Sequence, residues 1–114
     1  ESMELFSDGG FFLTKTSMTK MRGHYLGENG DGSGPYVSPL FVEDLKGLPP
    51  ALVLTAEFDP LRTEGETYAE RLRAQGVEAR YSRYHGMGHG FFSMRIAQAT
   101  KAIDEIAATI RANV

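Results

Sequence analysis

The 114 residues predict an α/β fold built on one βαβ unit and closed by a terminal helix. Three observations carry this. "ALVLTA", residues 51–56, is an uninterrupted apolar and β-branched run, the pattern of a parallel strand covered on both faces. The stretch after it, "FDPLRTEGETYAERLRAQG", has helical spacing, and "VEARYSRY" then alternates as a strand does. Strand, helix and strand in that order make a βαβ unit with a right-handed crossover.

Ahead of that unit, "FLTKTSMTKMRGHYLG" predicts a helix capped by Thr14, with Met18, Met21 and Tyr25 on one face. "GENGDGSGPYVSP" follows as a polar, glycine-rich loop. Asn29, Asp31, Ser33 and Gly34 imitate the first positions of a calcium loop, but Leu40 stands where a bidentate Glu is needed, so calcium is rejected. These glycines follow no strand and make no G-x-G-x-x-G, so they do not form a phosphate cradle either.

Within the central helix Leu61, Gly65, Tyr68 and Leu72 step by helical spacing, acids occupy the first turn, arginines the last, and Gly76 is placed at C′ to stop it. In the strand at 77–84, Val77, Ala79 and Tyr81 alternate with Glu78, Arg80 and Ser82, which predicts one wetter face and a place at the sheet edge. Ile96, Ala99, Ile103, Ile106 and Ile110 form a stripe expected to pack a last helix on the sheet. Two parallel strands want neighbours and cover on both faces, so the unit reads as part of a larger domain.

Composition excludes several functions. A net charge of −3 with no basic stripe disfavours nucleic acid. The absence of cysteine rules out disulfides, thiolate metal sites and a cysteine nucleophile. No apolar run spans a bilayer, and the acidic start is unlike a signal peptide; the expectation is a soluble chain, with the cytoplasm favoured, taken from inside a longer protein.

Open parallel sheets collect functional groups just past the carboxyl ends of their strands. Asp59 follows the first strand, and His85 and His89 follow the second, so all three belong to one rim. An Asp that orients a His, and a His that takes a proton from a nucleophile, form a catalytic pair. Two alternatives stay open on the residues alone. Asp59 before Pro60 also resembles a helix N-cap followed by proline at N1. Two histidines four apart could hold a metal on a helix, but Gly86, Gly88 and Gly90 oppose a helix and no H-E-x-x-H is present.

"SPL", "GLPPALVLTAEFDPLRTEGETYAERLRAQGV" and "YHGMGHGFF", with "GGFFLT" near the start, resemble the carboxyl-terminal part of the hormone-sensitive-lipase-like branch of the α/β-hydrolases, a group of carboxylesterases and lipases. The resemblance implies that residues 1–114 are the carboxyl-terminal part of a single α/β-hydrolase domain. It implies Asp59 as triad acid, His89 as triad base, His85 as incidental, and no cofactor. Phe11, Phe12 and Phe91 become candidates for an acyl pocket, although interior packing is the commoner use of phenylalanine. Thr63 departs from the pattern, where many relatives carry an acid.

The family's G-x-S-x-G nucleophile elbow and H-G-G-G-type oxyanion loop are absent. None of Ser2, Ser7, Ser17, Ser33, Ser38, Ser82 and Ser93 has glycine at both flanking second positions; Ser33 has Asp31 and Pro35 in those places. The expected function is therefore the Asp and His part of a serine ester hydrolase, inactive alone and acting on a small acyl ester when complete. The alternative is a non-catalytic folding or assembly module derived from such an enzyme. The expected partner is a second copy, joined through residues 77–84 and the terminal helix, or the missing amino-terminal half.

Overall fold

The computed structural model describes residues 1–8, 10 and 12–113. Its elements are α1 (Ser2–Phe6), α2 (Lys15–Leu26), β1 (Ala51–Phe58), α3 (Arg62–Ala74), β2 (Ala79–Gly88) and α4 (Ala97–Ala112), with 3-10 turns at Pro39–Phe41 and Phe91–Ser93. β1 and β2 pair in parallel, from Ala51 opposite Ala79 to Ala56 opposite Tyr84. The βαβ unit is thus present, and both strands run further than expected at their carboxyl ends.

β2 also starts later than the sequence pattern suggested, because residues 76 and 77 close the end of α3. Gly76 adopts φ +82°, its N–H bonds the Arg73 carbonyl, and the Val77 N–H bonds the Leu72 carbonyl. This is a Schellman closure, and Val77 and Leu72 complete it by packing together in the core with Leu45 and Ala79. The segment before β1 is tied to the same end of the helix, where Gln75 accepts the Leu45 N–H at 2.7 Å and donates to the Glu43 carbonyl at 2.8 Å.

The expected division of β2 into one apolar and one wet face is corrected by the structure, since each face is covered by a helix. Ala79 lies in the cluster under α3, and Arg83 on the same face makes a two-pronged ion pair with Glu66 of α3, at 2.7 and 2.8 Å. On the other face Tyr84 packs with Phe91, Ala56 and Ala102. The polar tips there are collected by α4: Glu105 accepts the Ser82 hydroxyl at 2.5 Å and the Tyr84 hydroxyl at 2.7 Å, and Arg80 donates to Thr109. Burial and then the Glu105 bond push the Tyr84 phenol up to about 12.

The stripe of α4 is also corrected, and that of α2 lies uncovered. In α4 the buried residues are Ala99 and Ala102, of which Ala102 packs with Tyr84 and Phe91, while Ile103 and Ile110 are more than half exposed. In α2 the Thr14 cap forms as expected, completed by a reciprocal bond from Ser17, yet no residue of the helix is buried and Met21 and Tyr25 face solvent. Apolar stripes of this kind need a second layer to cover them.

No local pattern announces α1, a single turn whose use is to tie the start of α3. Ser2 is fully buried; its hydroxyl donates to the Pro60 carbonyl at 2.7 Å and accepts the Thr63 N–H at 3.0 Å, satisfying one orphan donor of that helix. The Thr63 hydroxyl in turn accepts the Ser2 N–H at 3.1 Å, which gives a structural use to the residue that departs from the family pattern. Ser2→Ala should cost about 1–3 kcal/mol of stability, the penalty for stranding buried polar groups. Chemical denaturation checks this, and an unchanged midpoint would show the tie to be dispensable.

Candidate active site

The carboxyl ends of β1 and β2 form one rim, and the chain breaks register there in a way that brings acid and histidine together. Between the pairs Ala56–Tyr84 and Phe58–Gly88, β1 spends one residue, Glu57, while β2 spends three, His85, Gly86 and Met87. β2 therefore bulges outward and then rejoins β1 one residue before His89. Gly86, at φ +74°, takes the left-handed conformation that this detour needs.

Asp59 sits just beyond β1, only 9% exposed, and uses both carboxylate oxygens. Oδ1 accepts the Leu61 N–H at 2.8 Å, and Oδ2 lies 2.9 Å from His89 Nδ1. The two readings of Asp59 are thus compatible: one oxygen closes the turn into α3 while the other meets the imidazole. The strict N-cap version is corrected, because α3 begins at Arg62 with Leu61 as its cap.

A carboxylate only accepts, so Nδ1 carries the proton in the neutral ring and Nε2 is left with the lone pair. His89 is 41% exposed at its side chain, so the ring edge is reachable from outside. Beside the pair lies a groove of about 450 Å³ lined by Leu54, Ala56, Asp59, His89, Phe91 and Phe92. This arrangement can accept a proton at Nε2 and stabilise the resulting imidazolium against Asp59, next to an apolar surface.

His85 is not part of the pair. Its side chain is 75% exposed and its Nδ1 stands 3.6 Å from a different carboxylate, Glu57 Oε2. Among the described residues no group of three His, Asp or Glu side chains is placed to hold a metal ion. No helix among them is long and apolar enough to cross a membrane.

The three phenylalanines separate. Phe91 is buried against Tyr84, with ring centroids 4.9 Å apart, and also borders the groove. Phe12 is largely exposed, at φ +54°, with its ring beside Gly88. Phe11 lies outside the described residues. Sequence reasoning missed Phe92, half-exposed on the groove, and Glu57, whose only signal was its place near the end of β1, two residues before Asp59.

A family model for the alpha/beta hydrolase fold matches residues 1–93. The chain belongs to the α/β-hydrolases. It is 44% identical over 94 residues to the carboxylic ester hydrolase LipN of Mycobacterium tuberculosis, covering 82% of this chain and 25% of that protein. It is 48% identical over 67 residues to an arylesterase of Saccharolobus solfataricus, covering 59% and 22%. Among solved structures, a hyperthermophilic esterase from the archaeon Pyrobaculum calidifontis superposes with a TM-score of 0.91 at 41% identity, over 97% of this chain and 37% of that one. The chain thus spans about a quarter of these curated relatives, and its βαβ unit with flanking helices is one part of the α/β-hydrolase fold, as its resemblance to the hormone-sensitive-lipase-like branch implied.

Proposed function

We propose that this α/β-hydrolase segment supplies the acid and base of a serine ester hydrolase acting on small acyl esters, with Asp59 orienting His89. The observation that carries the reading is the 2.9 Å contact between Asp59 Oδ2 and His89 Nδ1 at the strand ends, beside an apolar groove. Relatives named as ester hydrolases supply the reaction class.

In the proposed reaction a serine outside these residues attacks the ester carbonyl while His89 Nε2 takes its proton. The imidazolium, held by Asp59, returns that proton to the leaving alcohol as the C–O bond breaks, and the acyl-enzyme forms. Water then attacks the acyl-enzyme by the same relay, releasing the carboxylic acid and restoring the serine. Residues 1–114 are read as the carboxyl-terminal part of one domain, because β1 has a free edge among the described residues and Ile106 and Ile110, beside Leu52 of that strand, are left partly uncovered. The groove's phenylalanines, Phe91 and Phe92, with Phe12 nearby, are proposed to face the acyl group.

Hydrolysis of p-nitrophenyl acetate and butyrate tests the reading. The full-length gene product is expected to turn both over, and residues 1–114 alone to do no better than free imidazole. Equal activity of the isolated segment would end the proposal.

Association is proposed through β2 and α4. The physical basis shifts from the expected one, since Val77 and Ala79 are buried under α3 and unavailable. What remains among the described residues is the open hydrogen-bonding edge of β2 with the partly exposed Tyr81, and beside it the side of α4 that carries Glu105 and Thr109. Sedimentation of the full-length protein should give a dimer that Tyr81→Lys weakens; a monomer at every concentration would contradict it.

A further inference from the structure

The bulge that delivers His89 is not held by the strand ladder, because it lies where the ladder is interrupted. It has a separate anchor. Glu57 Oε2 accepts the Gly86 N–H at 2.7 Å, in the middle of the three-residue detour. The Glu57 carbonyl meanwhile accepts Arg62 Nη1 at 2.8 Å, which ties the backbone of the same residue to the first turn of α3. Two residues later Asp59 holds the far end of the detour at His89. Glu57 and Asp59 therefore hold the histidine loop at its middle and just past its exit, from nearby positions at the end of β1.

We infer that Glu57 is a positioning residue for the reaction proposed above, fixing the 85–87 bulge through Gly86 so that His89 presents Nε2 toward the groove while Nδ1 stays on Asp59. The inference rests on that reading of Asp59 and His89. The Gly86 N–H holds the Glu57 carboxyl below its usual range against an opposing effect of desolvation, with His85 and Arg62 adding to the lowering, so the anchor is a charged acceptor at neutral pH. Gly86 is suited to the task because its left-handed backbone turns the N–H inward to that acceptor. A Glu reaches across the rim from β1 to β2; an Asp at this position is one methylene too short.

The test uses the full-length gene product, with Glu57→Ala, Glu57→Asp and Glu57→Gln set beside His89→Ala. Removing the anchor should misplace the imidazole rather than weaken substrate binding. Glu57→Ala and Glu57→Asp are expected to lower kcat by about 10- to 100-fold, the cost of a displacement near 1 Å, with KM changed by less than about twofold. Glu57→Gln, whose amide oxygen can still accept the Gly86 N–H, should keep kcat within about fivefold of the parent. A readout independent of turnover is the Nδ1–H proton of His89 by NMR, expected to be observable in the parent and in Glu57→Gln and to broaden or vanish in Glu57→Asp.

If Glu57→Ala does not fold, the order of Gln above Asp decides the matter, since Asp keeps the charge and loses the reach. Folded Ala or Asp variants with unchanged kcat and an unchanged Nδ1–H signal would overturn the inference. Activity surviving in His89→Ala would instead overturn the ester-hydrolase reading, and the NMR comparison would still decide whether Glu57 positions the His89 ring.

Discussion

His89→Ala in the full-length protein is expected to lower ester hydrolysis by about 10⁴-fold or more, while His85→Ala stays within about threefold of the parent. The asymmetry follows from the two contacts. His89 Nδ1 meets the nearly buried Asp59 at 2.9 Å, and its exposed edge borders the groove; His85 is mostly in solvent, at 3.6 Å from Glu57. Loss of the base leaves only what binding and oxyanion stabilisation provide elsewhere in the domain. Initial rates on p-nitrophenyl butyrate decide it. Inactivation by the His85 change, with the His89 variant active, would reverse the assignment.

Asp59→Asn is the second large effect, and the more diagnostic one because it conserves shape. The Asn oxygen can keep the bond now made to the Leu61 N–H at 2.8 Å, so the turn into α3 survives. The amide nitrogen then faces His89 Nδ1, which must accept, and the ring proton moves to Nε2, where the base is needed. A fall in kcat of about 10⁴ is expected, with the melting temperature shifted by only about 2–4 °C. A kcat near that of the parent would mean that Asp59 serves the turn and not the imidazole.

Much of this rim was legible in the amino-acid pattern. The apolar run at β1, the acids and arginines at opposite ends of α3, and Gly76 as its stop signal rest on local chemistry, which is why they survive in the fold. Asp59 and His89 were readable because parallel strands end on the same side. The bulge at 85–87 was not readable, since it depends on a bond between Gly86 and a side chain 29 positions earlier. The faces of β2 differ from the pattern for a related reason: Arg80 and Ser82 look solvent-bound in sequence, but Thr109 and Glu105 of α4 collect their polar ends. The isoleucine stripe of α4 and the methionine face of α2 were visible as patterns, yet their cover lies outside these 114 residues in the proposed domain.

Labelling of the full-length protein with a fluorophosphonate probes the Asp59–His89 pair at its point of action, because it reports activation of a serine without depending on the choice of ester. Covalent modification of one serine outside residues 1–114 is expected, mapped by mass spectrometry, with a labelling rate reduced by about 10³-fold or more in His89→Ala and in Asp59→Asn. Labelling at the parent rate in both variants, or on one of the seven serines within these residues, would contradict the assignment.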